Sequence, residues 1–304
     1  MNKLPVIGSS AATTAFCAAK LEGPGGHLWV DGNAKITASN GTYLEPRPNA
    51  FSLEAQAVVN REWSDDITSG DMFVMPPEVH CPGSTSVCRS SCYVNGLESA
   101  VPDTYALYRH NSKMIRQILA GPEVGFWAMT LANWIKEHAS GGFRWHVSGD
   151  VFSTDYAAFI ARVCSLSVDV DHWIYSRSFD LLRPLLDVEN LCLNISTDVE
   201  NYEAGRAFVE AASMACPLTT IRLCYLTSDG AVPDDLPHGS VIFPDYALRG
   251  ARGQTPAEQR ASSAWYQGLP SNYRSMTCPV DFHGKSEELR CGPCRKCMLP
   301  AERT

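Results

Sequence analysis

Seven of the chain's twelve cysteines fall into two sets. The first lies in "HCPGSTSVCRSSCY", His80 to Tyr93, and spaces Cys81, Cys88 and Cys92 as C-x6-C-x3-C. The second lies in "CPVDFHGKSEELRCGPCRKC" and spaces Cys278, Cys291, Cys294 and Cys297 as C-x12-C-x2-C-x2-C. Thiolates are ligands for soft metals. Clustered thiols in a chain with no export signal point to metal rather than to disulfides. The opening "MNKLPVIGSSAATTAFCAAK" carries one early lysine and small residues, but Ser and Thr interrupt its middle. Bulky Phe16 precedes Cys17, so export and lipid attachment are not expected.

The two sets complete different things. Four cysteines fill a tetrahedral zinc site or all four corners of a [4Fe–4S] cluster. A structural zinc usually takes two well-separated C-x2-C pairs, whereas tight triple spacing belongs to iron–sulfur loops. Gly292 and Pro293 suit a loop that must curl around a cluster. A closed [4Fe–4S] cluster is the favoured reading, with zinc and an unmetallated or disulfide state as alternatives. The first set is one thiol short. An iron held there would keep an open position for a small chelating ligand. His80 or Cys224 could instead close a zinc site of Cys3His type, or one zinc could be shared between the two sets. Among the scattered cysteines, Cys164 and Cys192 lie in apolar segments and read as buried small side chains.

The chain has 304 residues, 45% hydrophobic and 19% charged, the composition of a globular protein. Its net charge of −8 argues against a broad, non-specific grip on a phosphate backbone and leaves room for a local basic pocket. No apolar run approaches the ~18 residues of a membrane helix, so a cytoplasmic protein is expected. Residues 1–70 read as an extension with a small hairpin, 28–30 against 35–38, turning at Asp31-Gly32. "EGPGGH" (22–27) reads as a turn. Residues 71–249 alternate strands and helices. Strands are expected at "MFVM" (72–75), 143–150, 172–177, 191–196, 220–226 and 240–245. Helices are expected at 103–119, 123–138, 154–166 with Ser153 as its cap, 180–188 and 201–214. Residues 250–304 form the cysteine-rich end, with a helix near 256–267. Alternation of this kind makes an α/β fold with a parallel sheet, here a partial (βα)6 TIM-like barrel. No G-x-G-x-x-G or Walker A motif is present, so dinucleotide and P-loop readings lack their central signal.

The expected strand ends carry polar groups: His146, Ser148, Gly149 and Asp150; Tyr175, Ser176 and Arg177; Asn194, Ser196 and Asp198; Tyr225 and Thr227; Asp245. In parallel α/β barrels the C-terminal strand ends form the active face. His146, Ser148 and Asp150 share a face by parity, as do Trp173, Tyr175 and Arg177. His146, Asp150 and Arg177 are the candidate catalytic groups. Arg177 suits a carboxylate or phosphate, or an ion pair with Asp180. Tyr175 or Trp173 could stack a base. Arg109 and Asn111 follow the first cysteine loop and are weaker candidates.

A partial barrel with three cysteines after its first strand and four at its C-terminus resembles the radical S-adenosylmethionine superfamily. That resemblance implies an open [4Fe–4S] cluster on Cys81, Cys88 and Cys92 that chelates S-adenosylmethionine and cleaves it to a deoxyadenosyl radical. It further implies a closed auxiliary cluster on Cys278, Cys291, Cys294 and Cys297. Ser148, Gly149 and Asp150 would hold the cofactor's amino group, and Asn194, Ser196 and Asp198 its ribose or carboxylate. The spacing departs from the family's usual C-x3-C-x2-C, and Tyr93 follows the last cysteine where an aromatic usually precedes it. The segments "CPGSTSVCRSSCY", "FRWHVSGDVFS", "HWIYSRSF", "LNIST" and "TCPVDFHGKSEELRCGPCRKC" more closely resemble the phage gene product 88 family. The implied function is an iron–sulfur enzyme supplied with electrons by a host donor and acting in the host cytoplasm. Its implied substrate is a nucleotide or a DNA base. A metal-stabilised binding protein for nucleic acid or a host factor, and an iron–sulfur Lewis-acid enzyme without S-adenosylmethionine, are the alternatives.

Overall fold

The structure, a computed structural model, describes residues 18–31, 50–54, 81–92, 102–139, 141–245, 256–279 and 294–298. Among these residues eight strands form one sheet in chain order: β1 (Ala18–Gly23), β2 (Gly26–Asp31), β3 (Ala50–Phe51), β4 (Phe143–Trp145), β5 (His172–Ser176), β6 (Leu191–Thr197), β7 (Thr220–Thr227) and β8 (Val241–Pro244). β1, β2 and β3 pair antiparallel, and every pairing from β3 to β8 is parallel. Among the described residues the sheet is open, since β8 does not pair back to β1. The helices are α1 (Ser86–Ser90), α2 (Pro102–Ala120), α3 (Val124–His138), α4 (Thr154–Leu166), α5 (Tyr202–Ala215), α6 (Pro256–Gly268) and α7 (Ser271–Met276). None of the described helices is long and apolar enough to cross a membrane.

Periodicity explains most of these elements. The buried residues of α4 are Tyr156, Ala157, Phe159, Ile160, Val163 and Cys164, a single stripe, and Ser153 caps the helix by accepting from the Tyr156 N–H at 3.1 Å. β6 is buried along nearly its whole length, as a parallel strand covered on both faces must be. Its Leu193 and Ile195 join Phe143, Trp145 and Ile174 under the stripes of α3 and α4, and this is the main core.

Four expectations change. Strand 28–30 exists, but its hairpin partner is β1 upstream, with "EGPGGH" as the connecting turn. The proposed partner at 35–38 lies outside the described residues, as does "MFVM". Among the described residues the strand that pairs with β4 on the side away from β5 is Ala50–Phe51, from the part of the sequence read as an extension. The expected helix at 180–188 is two 3-10 turns, Phe179–Leu181 and Arg183–Leu185, because Pro184 has no N–H for a continuous helix. β4 stops at Trp145, since His146 adopts φ +64°.

The sheet curls. The rings of Tyr175 in β5 and Phe243 in β8 meet at 5.9 Å between centroids. Three strand steps in a flat sheet would separate them by about 14 Å. The main core lies on the convex side, and these rings face each other across the concave side. Asn111 of α2 fastens the N-terminal hairpin to this sheet. Its amide accepts from the Trp29 N–H at 2.8 Å and donates to the carbonyls of Trp29 and Ser52 at 2.8 and 3.1 Å. That is a structural role, and Arg109 beside it is exposed.

Asp31 ends β2 fully buried. It accepts from the Ser52 hydroxyl at 2.8 Å and the Tyr108 hydroxyl at 3.4 Å, and its other oxygen has no partner among the described residues. Burial raises its pKa to about 7, against the pull of the Ser52 hydrogen bond and of Arg144. A folded-state pKa above the unfolded value of 3.8 means that folding favours the protonated acid. Stability from this group is therefore complete below pH 4 and is lost as pH rises to about 7. Asp31→Asn is expected to gain on the native protein across that window by up to about 1.4 kcal/mol per pH unit. Urea denaturation at pH 4.5 and pH 8 measures it, and a pH-independent difference refutes it.

Candidate functional site at the C-terminal edge of the sheet

The first cysteine loop lies across the C-terminal strand ends and is held there by side chains. Its turn closes with the Ser84 N–H on the Cys81 carbonyl at 3.0 Å. Thr85 then caps α1 by accepting from the Cys88 N–H at 2.9 Å. The Thr85 hydroxyl donates to Asp198, just beyond β6, at 2.5 Å. The Ser86 N–H donates to Glu200 at 2.9 Å, and the Ser86 hydroxyl binds the other oxygen of that carboxylate. The Ser91 hydroxyl donates to Asp245, just beyond β8, at 2.9 Å. Gly83 sits so close to the end of β5 that a Cβ there would fall 2.0 Å from the Arg177 carbonyl oxygen. Only glycine fits that approach. The loop was readable as a thiol-bearing turn; the anchoring roles of Thr85, Ser86 and Ser91 were not. Their signal was the run of hydroxyl residues between the cysteines.

Beneath the loop is a buried polar cluster. Arg177 and Asp198 form an ion pair at 2.6 Å, with both side chains almost wholly out of solvent. Arg177's partner is thus Asp198 rather than Asp180. Asp198 also accepts from the Glu200 N–H at 2.9 Å. Asp150 accepts from the Arg177 N–H and the Ser178 hydroxyl, each at 3.0 Å, and from the Val151 N–H at 2.6 Å. Burial raises the Asp150 pKa, while hydrogen bonds from Ser176, Arg177, Val151 and Ser178 oppose that rise. The Cys88 thiol lies within electrostatic reach of this cluster. Burial raises its pKa, the Arg177 guanidinium lowers it, and Cys92, Asp150 and Asp198 raise it further. Asp150, Arg177, Asp198, Cys88 and Cys92 are therefore brought together.

Other candidates go elsewhere. The parity expected of His146 fails because the strand has ended. Its side chain turns to the Tyr156 hydroxyl, Nε2 at 2.8 Å, on the helix side. Burial, and secondarily Arg144, lowers its pKa to about 3, so it is neutral near pH 7. The Ser148 carbonyl accepts from the Leu53 N–H at 2.9 Å. Gly149, at φ +85°, leaves space that a Cβ would lose to Leu53 at 2.7 Å. The backbone at Ser148 and Gly149 thus lies against Leu53, just beyond β3. Ser196 is half-buried on the concave face between the cysteine sets. Asn194 lies lower, donating to the carbonyls of Ile174 and Cys297 at 3.1 and 3.0 Å.

The C-terminal set meets the same concave face at its other end. The strap Cys294–Met298 is tied by Arg295 to Asp171, just before β5, at 2.5 Å. Arg222 donates to the Met298 carbonyl at 3.1 Å and Lys296 to the Thr277 carbonyl at 3.2 Å. Met298 is buried with Ala50, Val147, Trp173 and Cys192. The Cys278 N–H donates to the Ile242 carbonyl at 2.8 Å. With the sets at opposite ends of the strands, one zinc shared between them is not the arrangement found, and Cys224 belongs with the lower set. Cys291 lies outside the described residues.

The donor chemistry of both sets suits a thiophilic centre. Their arrangement does not close around one: among the described residues no three His, Cys, Asp or Glu side chains stand where they could hold a single ion. Cys88 and Cys92 feel each other's charge, and the thiols near Cys224 do the same.

Comparison with known proteins places this geometry in a lineage. The sequence model of a family described as "Gene product 88" matches residues 28–298. The "Gene 88 protein" of Mycobacterium phage D29 is 30% identical over 132 residues. That match covers 41% of this chain and 55% of the phage protein, so the chain spans about half of that relative's length. No solved structure matches.

Thr85→Val keeps the shape of the side chain and removes both of its hydrogen bonds. A lost cap costs about 1 kcal/mol. A lost bond to a charged acceptor costs roughly 1.5–3 kcal/mol. Amide exchange across 85–92 is expected to speed up at least about ten-fold, with α4 unchanged. Exchange at the native rate would show that the hydroxyl does not anchor the loop.

Proposed function

The chain belongs to the gene product 88 family, and from that premise we propose that it is an iron–sulfur enzyme working at the C-terminal edge of its sheet. One observation carries the reading: a loop bearing Cys81, Cys88 and Cys92 is pinned over the strand ends, with the Cys88 thiol set against Arg177, Asp150 and Asp198. The C-terminal edge is where parallel α/β proteins bind ligands. Six parallel strands in chain order, curled about a polar concave face, suit the partial barrel of the radical S-adenosylmethionine superfamily.

A cluster bound by the loop would supply an open iron for the amino and carboxyl groups of S-adenosylmethionine and the electron for its cleavage. The described thiols do not converge on a single point. The chain's own contribution is positional. Asp198 orients Arg177 and Thr85 together, and Asp150 fixes the backbone at Arg177. Tyr175 and Phe243 present aromatic surface suited to a planar heterocycle, so a nucleotide or a base of phage DNA is the proposed substrate class. A second reading, a metal-stabilised binding protein, draws on one feature: Asp198, Glu200 and Asp245 are engaged in holding the loop.

Protein purified without oxygen is expected to contain iron and acid-labile sulfide, and to form deoxyadenosine from S-adenosylmethionine under reduction. Cys88→Ser should remove one cluster's iron and leave the other's. Zinc without iron supports the binding protein. Iron without deoxyadenosine supports a Lewis-acid enzyme. Absence of all metal refutes both metal readings.

A further inference from the structure

Four arginines meet the concave face or its rims, and they differ in what offsets their charge. Arg177 pairs with Asp198, and Arg295 with Asp171. Arg144 has the Asp31 carboxyl within electrostatic reach. Arg222, half-buried in β7, has no carboxylate partner among the described residues. Its guanidinium donates to the Met298 carbonyl at 3.1 Å. The thiols within its electrostatic reach, Cys192 and Cys224, are held protonated by burial. A cation drawn partly out of water against neutral partners alone is desolvated without compensation, and an anion would supply it.

The register says what kind of anion. Tyr175, Asn194 and Arg222 stand directly opposite one another across β5, β6 and β7, so their side chains share the concave face. Neighbouring strands lie about 4.8 Å apart, which puts Arg222 roughly 10 Å along the row from Tyr175. A ribose and the Arg222 side chain together span that separation. At the Tyr175 end the ring meets Phe243 at an interplanar angle of 78°, and both rings stay partly exposed. Such a corner offers a planar heterocycle one ring to stack on and the edge of another. Arg144 steadies the corner, its guanidinium carbon 5.0 Å from the Tyr175 centroid and its Nε donating to the His146 carbonyl at 3.1 Å. The face is bounded at one end by the loop on Asp198 and Asp245 and at the other by the strap Cys294–Met298. A polynucleotide would have to continue past one of these, and a chain of net charge −8 offers it no general attraction.

We propose that the concave face binds a nucleoside monophosphate, with its base in the corner of Tyr175 and Phe243 and its phosphate on Arg222. This rests on the substrate class proposed above and narrows it to a free mononucleotide. A planar guanidinium can meet a phosphate with two parallel hydrogen bonds, so Arg222 supplies orientation as well as charge.

The test titrates full-length protein, purified without oxygen, with each common deoxynucleoside 5′-monophosphate, the matching nucleosides, S-adenosylmethionine and a single-stranded oligonucleotide. At least one monophosphate is expected to bind, with its nucleoside weaker by at least about ten-fold. Arg222→Gln is expected to abolish that preference, and Tyr175→Leu to weaken nucleoside and monophosphate alike. Arg222 also holds the strap, so Asp171→Asn, which loosens the strap through Arg295, serves as the control and is expected to keep the preference. Should Arg222→Gln not fold, phenylglyoxal labelling of the native chain answers, and the monophosphate is expected to protect Arg222. Equal binding of nucleoside and monophosphate, an unchanged preference in Arg222→Gln or its equal loss in Asp171→Asn overturns the proposal. So does tighter binding of the oligonucleotide, displacement of the monophosphate by S-adenosylmethionine, or labelling of Arg222 that the monophosphate leaves unchanged. A chain that holds iron and forms deoxyadenosine without this preference overturns the nucleotide site alone. A monophosphate bound through Arg222 by a chain without metal supports the site and overturns the iron–sulfur reading.

Discussion

The buried pair between Arg177 and Asp198 is the contact on which the placement of the cysteine loop depends. Two unpaired charges in this position would each cost several kcal/mol. The cost is offset because the Asp198 carboxylate is nearly saturated, by Arg177, by Thr85 and by the Glu200 N–H. The pair also joins three pieces of chain: the end of β5, the end of β6 and the loop. Arg177 is fixed a second time through its backbone, which donates to Asp150 beyond β4. One ion pair thereby sets the relative position of three strand ends and of the thiols above them.

The lower end of the concave face follows from a different constraint. The amides of a strand point sideways into the sheet, so a sheet face offers no backbone partners to a segment lying on it. The strap Cys294–Met298 must find its hydrogen bonds among side chains. Asn194 and Arg222 provide them, and the strap's own Lys296 and Arg295 reach outward to the Thr277 carbonyl and to Asp171. This explains polar residues at mid-strand positions of β6 and β7, where a barrel interior would place branched apolar ones.

The elements that announce themselves by period were legible: α2 through α5 and β5 through β8 lie close to where apolar spacing puts them. The placement of the first cysteine loop over the strand ends was also legible, from its position between strand and helix signals. What escaped has a common cause. The β1 partner of β2, the use of Ala50–Phe51 as a parallel strand, and the Asp198 partner of Arg177 are all pairings between distant residues, and no local period encodes them. His146 escaped because parity holds only while the strand lasts, and a single positive φ ended it. Ser148 and Gly149 lie beyond the end of β4, and their close approach to Leu53 is a further pairing between distant residues.

The distribution of polarity across the sheet separates folding from function. The convex face holds the tryptophan, phenylalanine, isoleucine and leucine side chains that stabilise the fold, at roughly 1.5–3 kcal/mol for each one fully buried. Much of the concave face holds Arg144, Tyr175, Arg177, Asn194, Asp198 and Arg222, together with cysteine thiols. Residues of that kind contribute little to a core and cost desolvation wherever they are covered. Apolar residues there would leave the cysteine loop and the strap Cys294–Met298 without their hydrogen-bond partners, so the polarity of this face belongs to the segments laid on it. The thiols are concentrated on this costly face, one set at each end. Thus the face that a barrel interior would fill with branched apolar residues is the face on which both thiol-bearing segments are held.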